Sequence, residues 1–476
     1  MQTLECDYLI IGSGAMGMAF ADVLMHEGQA TMVMVDQYHQ PGGHWNNAYP
    51  FVRLHQPSAF YGVNSKVLGS NRVDQTGWNK GLYELATNSE VCAYFDQVMY
   101  QQFLPTDRLQ YFPMCRYTGD GQFHSLVSDD KYQVQAHKIV DATYMNVTVP
   151  SMRPPAYVVA DGVACAPPNQ LPKLAGQYDR YVIVGAGKTG MDACLFLLRN
   201  GAAPEHITWI MPRDSWLLDR ADIQPPGLSD DTVARAFAQQ SQAIAESSTI
   251  AEIFERVAAG GQLLRFDDTV EPTMYRCATV TRAELEQLRR IPNIVRQGRV
   301  QQINPDAIEL DGGRVATSTT TLHVDCSADG LERRPATPVF ADDKITLQSV
   351  RTCQQVFSAA FIGHIEVRFA EDPRGHEHMN ALCTPVPHPD DAIDFLRTTL
   401  TTNLNAALWA QDEELQQWLQ NARLDGFSRP TDNAEPSAVS DEERAAEQAA
   451  RAALLKTNVK AIKNLQRLLA EYDGTQ

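Results

Sequence analysis

The chain opens on a short apolar run, Tyr8-Leu9-Ile10-Ile11, that ends at once in a cluster of glycines. An uninterrupted apolar run of this length fits a strand buried on both faces of a parallel sheet. Residues 15–26 then read as a helix, and a second apolar strand over residues 31–35 follows Gly28. The same succession returns as a strand over 181–184, a helix over 191–199 and a strand over 207–211. Short apolar strands alternating with helices predict an α/β fold with parallel sheets. Further helices are expected over 229–260, over 281–290 with Thr281 as cap, and in pieces from 391 to 472 around a polar linker, 425–440. No period of roughly 20 to 50 residues repeats; the internal duplication is the pair of glycine turns.

Gly12, Gly14 and Gly17 stand at GxGxxG spacing between the first strand and helix. The first glycine permits the tight turn, the second lets a pyrophosphate approach the backbone, and the third lets the helix close on the sheet. The helix N-terminus then offers amides and a dipole to the phosphates. Asp36, 19 residues past Gly17 at the end of the second strand, is placed to accept a ribose diol.

Gly185, Gly187 and Gly190 repeat the spacing. Lys188-Thr189 invites a nucleoside-triphosphate reading, but a P-loop needs glycine where Val182 stands. No acid ends the following strand; Arg213 comes instead, and a guanidinium suits a 2′-phosphate that a carboxylate would repel. The first turn is therefore expected to hold a dinucleotide without a 2′-phosphate and the second NADP. Two such sites on one chain make sense if electrons pass between cofactors, with FAD and NADPH the expected pair.

At 476 residues the chain predicts two or three domains. Its formal net charge of −18 would repel nucleic acid and anionic membranes, so neither is expected as a partner. Glycines and polar residues interrupt every apolar stretch short of the ~20 residues that span a bilayer, and no secretion signal opens the sequence. The nine cysteines are scattered singly with no CxxC, which argues against a zinc ribbon or a thioredoxin-like dithiol and for a reducing, cytoplasmic location.

Over roughly the first 330 residues the sequence resembles the flavin-containing monooxygenase superfamily, with its Baeyer-Villiger and N-hydroxylating branches. Gly42-Gly43-His44-Trp45 is similar to that family's GG-x-W segment beside FAD, and "NAYPFVRLHQPSAFY" is similar to its "NRYPGARCD" stretch. The resemblance places Gly43, His44, Trp45 and Arg53 at the flavin, and His55, followed by Gln56, where the family has an aspartate or asparagine near the ring. "MPRDSWLLDR" is similar to "SRSGAWV..R", again pointing to Arg213, and "LHVDCSADGL" occupies the position of the returning strand and "ATGY" motif, which implies cofactor contact for Asp329. Arg276 lies where the Baeyer-Villiger branch has an arginine that stabilises the peroxyflavin. Two departures stand out: the FxGxxxH fingerprint is absent, "APPNQLPKLAG" taking its place, and the ATG motif is replaced by Ser327-Ala328-Asp329-Gly330.

The resemblance implies two Rossmann-like dinucleotide-binding domains: a discontinuous FAD domain (1–160 and 326–476, the latter ending in helices) and an inserted NADP domain (161–325) with a helical insertion around 220–292. It implies an NADPH- and FAD-dependent monooxygenase that uses molecular oxygen on a small molecule through a flavin C4a-(hydro)peroxide. His55, Gln56 and Arg276 are the catalytic candidates; Gly12, Gly14, Gly17, Asp36, Gly185, Gly187, Lys188, Thr189, Gly190 and Arg213 are the cofactor-binding ones. The missing fingerprint keeps open a reductase, a dehydrogenase or a single-component halogenase on the same fold, and a cofactor-binding sensor is the non-enzymatic alternative. No metal is expected: His376-Glu377-His378, with His388 downstream, has ligand-like residue types, but the flanking Pro and Gly suggest a loop. The terminal helix is open to packing on the body or on a second copy, so a homodimer is retained as a reading.

Overall fold

Two separate sheets, the first mainly and the second wholly parallel, carry the two glycine turns. The computed structural model describes residues 1–225, 230–328, 330–426 and 441–475. In the first sheet the order is Phe340–Ala341, Lys344–Thr346, Lys131–Asp141, Gln2–Ile11, Met32–Val35, Leu109–Phe112, with the hairpin Cys115–Gly119/Gln122–Ser125 hanging from Lys131–Asp141. Leu9 lies opposite both Val33 and Ile139, in parallel register on either side. The first strand begins earlier than its apolar run, at Gln2, because Gln2 to Cys6 pair with Tyr132 to Ala136. Burial on both faces explains the run: Leu9 and Ile10 are fully enclosed.

The helix Ala15–Glu27 is apolar almost all round because it is covered twice, by the sheet and by the helix Gln355–Phe369. Gly363 permits that contact, since a Cβ there would lie 3.2 Å from Cβ of Val23 and 3.3 Å from the Phe20 carbonyl oxygen. Polar side chains are trapped between these elements, and of the Glu366 carboxylate only Oε1 is partnered, Oε2 having no hydrogen-bond partner. Asp22 accepts from Ser65 N at 2.9 Å, and Glu366, fully buried, accepts from Tyr8 Oη at 2.8 Å and Lys138 Nζ at 2.6 Å.

The second sheet runs Asn293–Val295, Ile207–Ile210, Arg180–Val184, Thr321–Asp325, Cys165–Ala166, all parallel. Its helix, Lys188–Arg199, starts three residues before the expected position, directly after Gly187, as the first helix starts directly after Gly14. A three-stranded sheet, Leu263–Leu264, Ser215–Asp219 and Met274–Val280, adjoins it. The expected 229–260 helix is two, Asp230–Glu246 and Ile250–Ala259, the second capped by Thr249, whose hydroxyl accepts from Glu252 N. Thr281 caps Arg282–Leu288 in a reciprocal box with Glu284.

The terminal helix Asp441–Asp473 packs on this chain's own body: Asn464 Nδ2 donates to the carbonyls of Ile244 (2.7 Å) and Ser247 (2.8 Å). Residues 427–440 of the expected linker lie outside the described residues.

Two expectations are corrected. His376 and His378 sit on a helix, Gly375–Leu382, and not in a loop. Two residues apart on a helix they point to different sides, His378 edge-on to Phe369 and His376 towards Phe340. The cysteines are not all single: Cys277 and Cys353, 76 residues apart, form a disulfide. Distant positions are joined only by the tertiary fold, which spacing along the chain does not reveal. Among the described residues no helix is long and apolar enough to cross a membrane.

Candidate functional site

Both glycine turns open into one cavity of about 960 Å³, at the upper end of what small-molecule sites usually enclose. The turns are built alike. Gly12 (φ +102°) and Gly185 (φ +123°) occupy backbone that L side chains rarely adopt. A Cβ on Gly17 would fall on the Gly12 carbonyl oxygen and one on Gly190 on the Gly185 carbonyl oxygen, so the third glycine lets each helix close on its turn. The middle glycines face the cavity. Gly187 has nothing within 4 Å of a built Cβ. Gly14 is approached by Gly43, whose own Cβ would stand 2.9 Å from Gly14 Cα.

Asp36 lines the first-turn end. It is buried, and its Oδ2 accepts from Ser13 N (2.6 Å) and Ser13 Oγ (2.8 Å) while Oδ1 accepts from Tyr38 N (2.8 Å). Burial pushes its carboxyl up and the Tyr38 and Ser13 amides pull it back. Ser13 was not singled out by the spacing, which reads only the glycines around it.

Beyond the turn, Gly43, His44 and Trp45 enter the wall as a short 3₁₀ turn, with Trp45 Nε1 donating to Tyr61 Oη at 2.7 Å. Arg53, His55 and Gln56 follow on an irregular stretch, Arg53 bridged to Thr87. His55 Nδ1 is buried with no hydrogen-bond partner. Burial, aided by Lys188 and Arg220, lowers its pKa to about 3, so the imidazole is neutral. Arg220, itself 1% exposed, fixes this stretch by donating from Nε to the His55 carbonyl at 3.0 Å, and it pairs with Glu284 at 2.9 Å. Its role depends on 165 residues of intervening chain and left no signal in the sequence.

At the second turn Lys188 pairs with Asp192, to which Tyr49 Oη donates at 2.7 Å. Thr189 lines the cavity beside it. Arg213 and Arg276 also line the cavity, and both are held by a buried carboxylate that the sequence reading missed, Asp390. Arg213 Nη1 donates to Asp390 Oδ2 at 2.9 Å and Nη2 to Asp391 Oδ1 at 2.5 Å; Arg276 Nε donates to Asp390 Oδ1 at 2.6 Å, and Arg333 pairs with Asp390 too. Three guanidiniums thus converge on Asp390, with Asp391 as a second carboxylate partner of Arg213. His388, also in the wall, has its pKa lowered to about 4 by burial and by Arg276 and Arg333. Asp329 lies outside the described residues.

The residues present suit a dinucleotide at each turn. The helices Ala15–Glu27 and Lys188–Arg199 begin at the turns, and the glycine ahead of each, Gly14 and Gly187, presents bare backbone to cavity space that a Cβ would fill.

No protein-family model matches the chain. Solved structures with a similar course of chain include an open crystal structure of cyclohexanone monooxygenase (14% identity, 85% of this chain and 97% of that one, TM-score 0.49). Another is a flavin-containing monooxygenase from Stenotrophomonas maltophilia (16%, 77% and 98%, TM-score 0.43). The chain is 55% identical over 423 residues to the uncharacterized proteins Rv2000 of Mycobacterium tuberculosis and Mb2023 of Mycobacterium bovis, spanning 89% of this chain and 78% of each relative. With that identity over most of both lengths, the chain belongs to one family with these mycobacterial proteins.

Proposed function

We propose that the protein is an FAD- and NADPH-dependent oxidoreductase, and that it is a monooxygenase delivering one oxygen atom to a small molecule. The observation that carries the reading is the single cavity shared by the two glycine turns. A flavin supplies the chemistry that joins a two-electron hydride donor to oxygen. The Gly12–Gly14 turn and the helix behind it would receive the flavin dinucleotide's pyrophosphate, with Asp36 at its ribose. The Gly185–Gly187 turn would receive NADPH, with Lys188 near its phosphates. In this reading the FAD-binding part comprises 1–160 and 326–476, and the NADP-binding part 161–325.

The chain's own residues then orient and shield. Arg276, pinned by Asp390, presents a fixed positive charge to the cavity, the arrangement that stabilises developing negative charge without reorganisation. His55, kept neutral, offers a ring nitrogen to the bound ring system without adding charge, and Gln56 beside it offers an amide. Arg213 serves the 2′-phosphate by exchanging Asp391, whose carboxylate is 56% exposed and so easily resolvated, while keeping the buried Asp390.

The experiment is to reduce the holoprotein anaerobically with NADPH and then admit oxygen while recording rapid-mixing spectra. A transient blue-shifted flavin spectrum before reoxidation supports oxygen delivery. Direct return of the oxidised spectrum, with hydrogen peroxide released in proportion, replaces it with a reductase.

A further inference from the structure

The cysteine pair stands where electrons would pass. Cys277 and Cys353 both line the cavity that holds the two glycine turns, and their Cα atoms are 6.5 Å apart. They come to it from opposite sides. Cys353 lies two residues ahead of the helix Gln355–Phe369, which packs on the first glycine-turn helix. Cys277 lies on Met274–Val280, beside the second sheet.

The backbone has been shaped to put Cys277 there. The strand Met274–Val280 pairs with Ser215–Asp219 through Tyr275 opposite Trp216 and Thr279 opposite Leu218. Three residues, Arg276, Cys277 and Ala278, thus bulge out against one, Leu217, and all three line the cavity. A bulge of this kind re-aims side chains into a site. Cys277 (φ +54°) and Cys353 (φ +56°) are also both left-handed; apart from Met114, the other non-glycine residues in that region, among those described, are Asn or Asp, which tolerate it. A clamp between surface loops would need neither placement in the cavity nor the bulge that supplies it.

We propose that Cys277–Cys353 is a redox-active disulfide, opened to two thiols by the electrons that NADPH brings into this cavity. The inference rests on the oxidoreductase reading above. The step balances as one disulfide, one NADPH and one proton giving two thiols and NADP⁺: the S–S bond takes two electrons, and each sulfur ends with one proton. The pair would then be a second two-electron store beside the flavin, able to pass its electrons to an acceptor that exchanges with thiols.

The test counts thiols. Air-equilibrated holoprotein is incubated anaerobically with or without NADPH, quenched in denaturant with an alkylating agent, and digested for mass spectrometry. Flavin absorbance is recorded before the quench. The expected result is seven alkylated cysteines without NADPH, the free ones, and nine with it, the two gained being Cys277 and Cys353. In Cys353→Ser, Cys277 is alkylated before any NADPH is added. Bleached flavin with no gain at the two positions overturns the proposal and leaves the oxidoreductase reading standing. An unbleached flavin and no gain overturns both. Alkylation of all nine cysteines before NADPH also overturns it, because no disulfide is then present.

Discussion

Gly43 and Gly14 meet backbone to backbone: a Cβ on Gly43 would stand 2.9 Å from Cα of Gly14, in a residue already at φ +58°. The second glycine of the first turn is thus braced by a segment 29 residues away. Gly43→Ala should push this segment off the turn and cost about 1–3 kcal/mol of stability in backbone strain. Bound flavin should be lost with it, which absorbance per protein and thermal unfolding with and without added FAD would measure.

Gly187 and Gly190, three residues apart, differ in what an added side chain would meet. A Cβ on Gly187 meets nothing in the protein and its φ of −77° suits any residue, whereas one on Gly190 lands on the Gly185 carbonyl oxygen. Gly187→Ala should unfold like the parent protein yet raise the Kd for NADPH by about tenfold or more, ~1.4 kcal/mol or above. Gly190→Ala should lower the unfolding temperature. Calorimetry and NADPH titration on both variants would check the contrast.

Arg213 should select the cofactor. Arg213→Ala removes the guanidinium that Asp390 and Asp391 now hold. The ratio of kcat/KM for NADPH over NADH should fall by about 10- to 100-fold, through the NADPH term, a loss of ~1.4–2.7 kcal/mol. An unchanged ratio would remove Arg213 from the 2′-phosphate site and leave it as a structural partner of Asp390.

Three histidines of the cavity wall link stability to pH. His44 and His388 are lowered to about 4 and His55 to about 3, all chiefly by burial, from an ordinary 6.5. Between those values and 6.5 the unfolded chain binds more protons than the folded one, so this contribution is full above pH ~6.5 and is lost as the pH falls towards ~4. Unfolding near pH 5 should take up about three protons at these sites. His44→Gln should reduce that uptake by about one, measured from the slope of unfolding free energy against pH.

Much of this was legible in the sequence because it is local. Each glycine turn is written within about ten residues, and a strand, turn and helix form at each, although the first strand reaches back to Gln2. The helix Lys188–Arg199 began earlier than its apolar face suggests because the turn geometry, not the pattern, sets its start. What stayed hidden depends on closure between distant segments. Asp390 gathers Arg213, Arg276 and Arg333 from three parts of the chain. Arg220 holds the His55 carbonyl, and Cys353 reaches Cys277 across 76 residues. His376 and His378 were misread for a different reason: Pro373 and Gly375 are loop-like residues, but here they lie just ahead of and at the first residue of the helix Gly375–Leu382.

If one cavity joins the two cofactors, NADPH mixed anaerobically with the purified protein should bleach its bound flavin, and stopped-flow recording of the flavin band reads this in one experiment. Bound FAD, bleaching of its band, and a rate that saturates with NADPH and falls in Gly187→Ala are expected. A protein that carries no flavin when supplied with FAD, or whose bound flavin NADPH leaves oxidised, would show that the cavity does not join them.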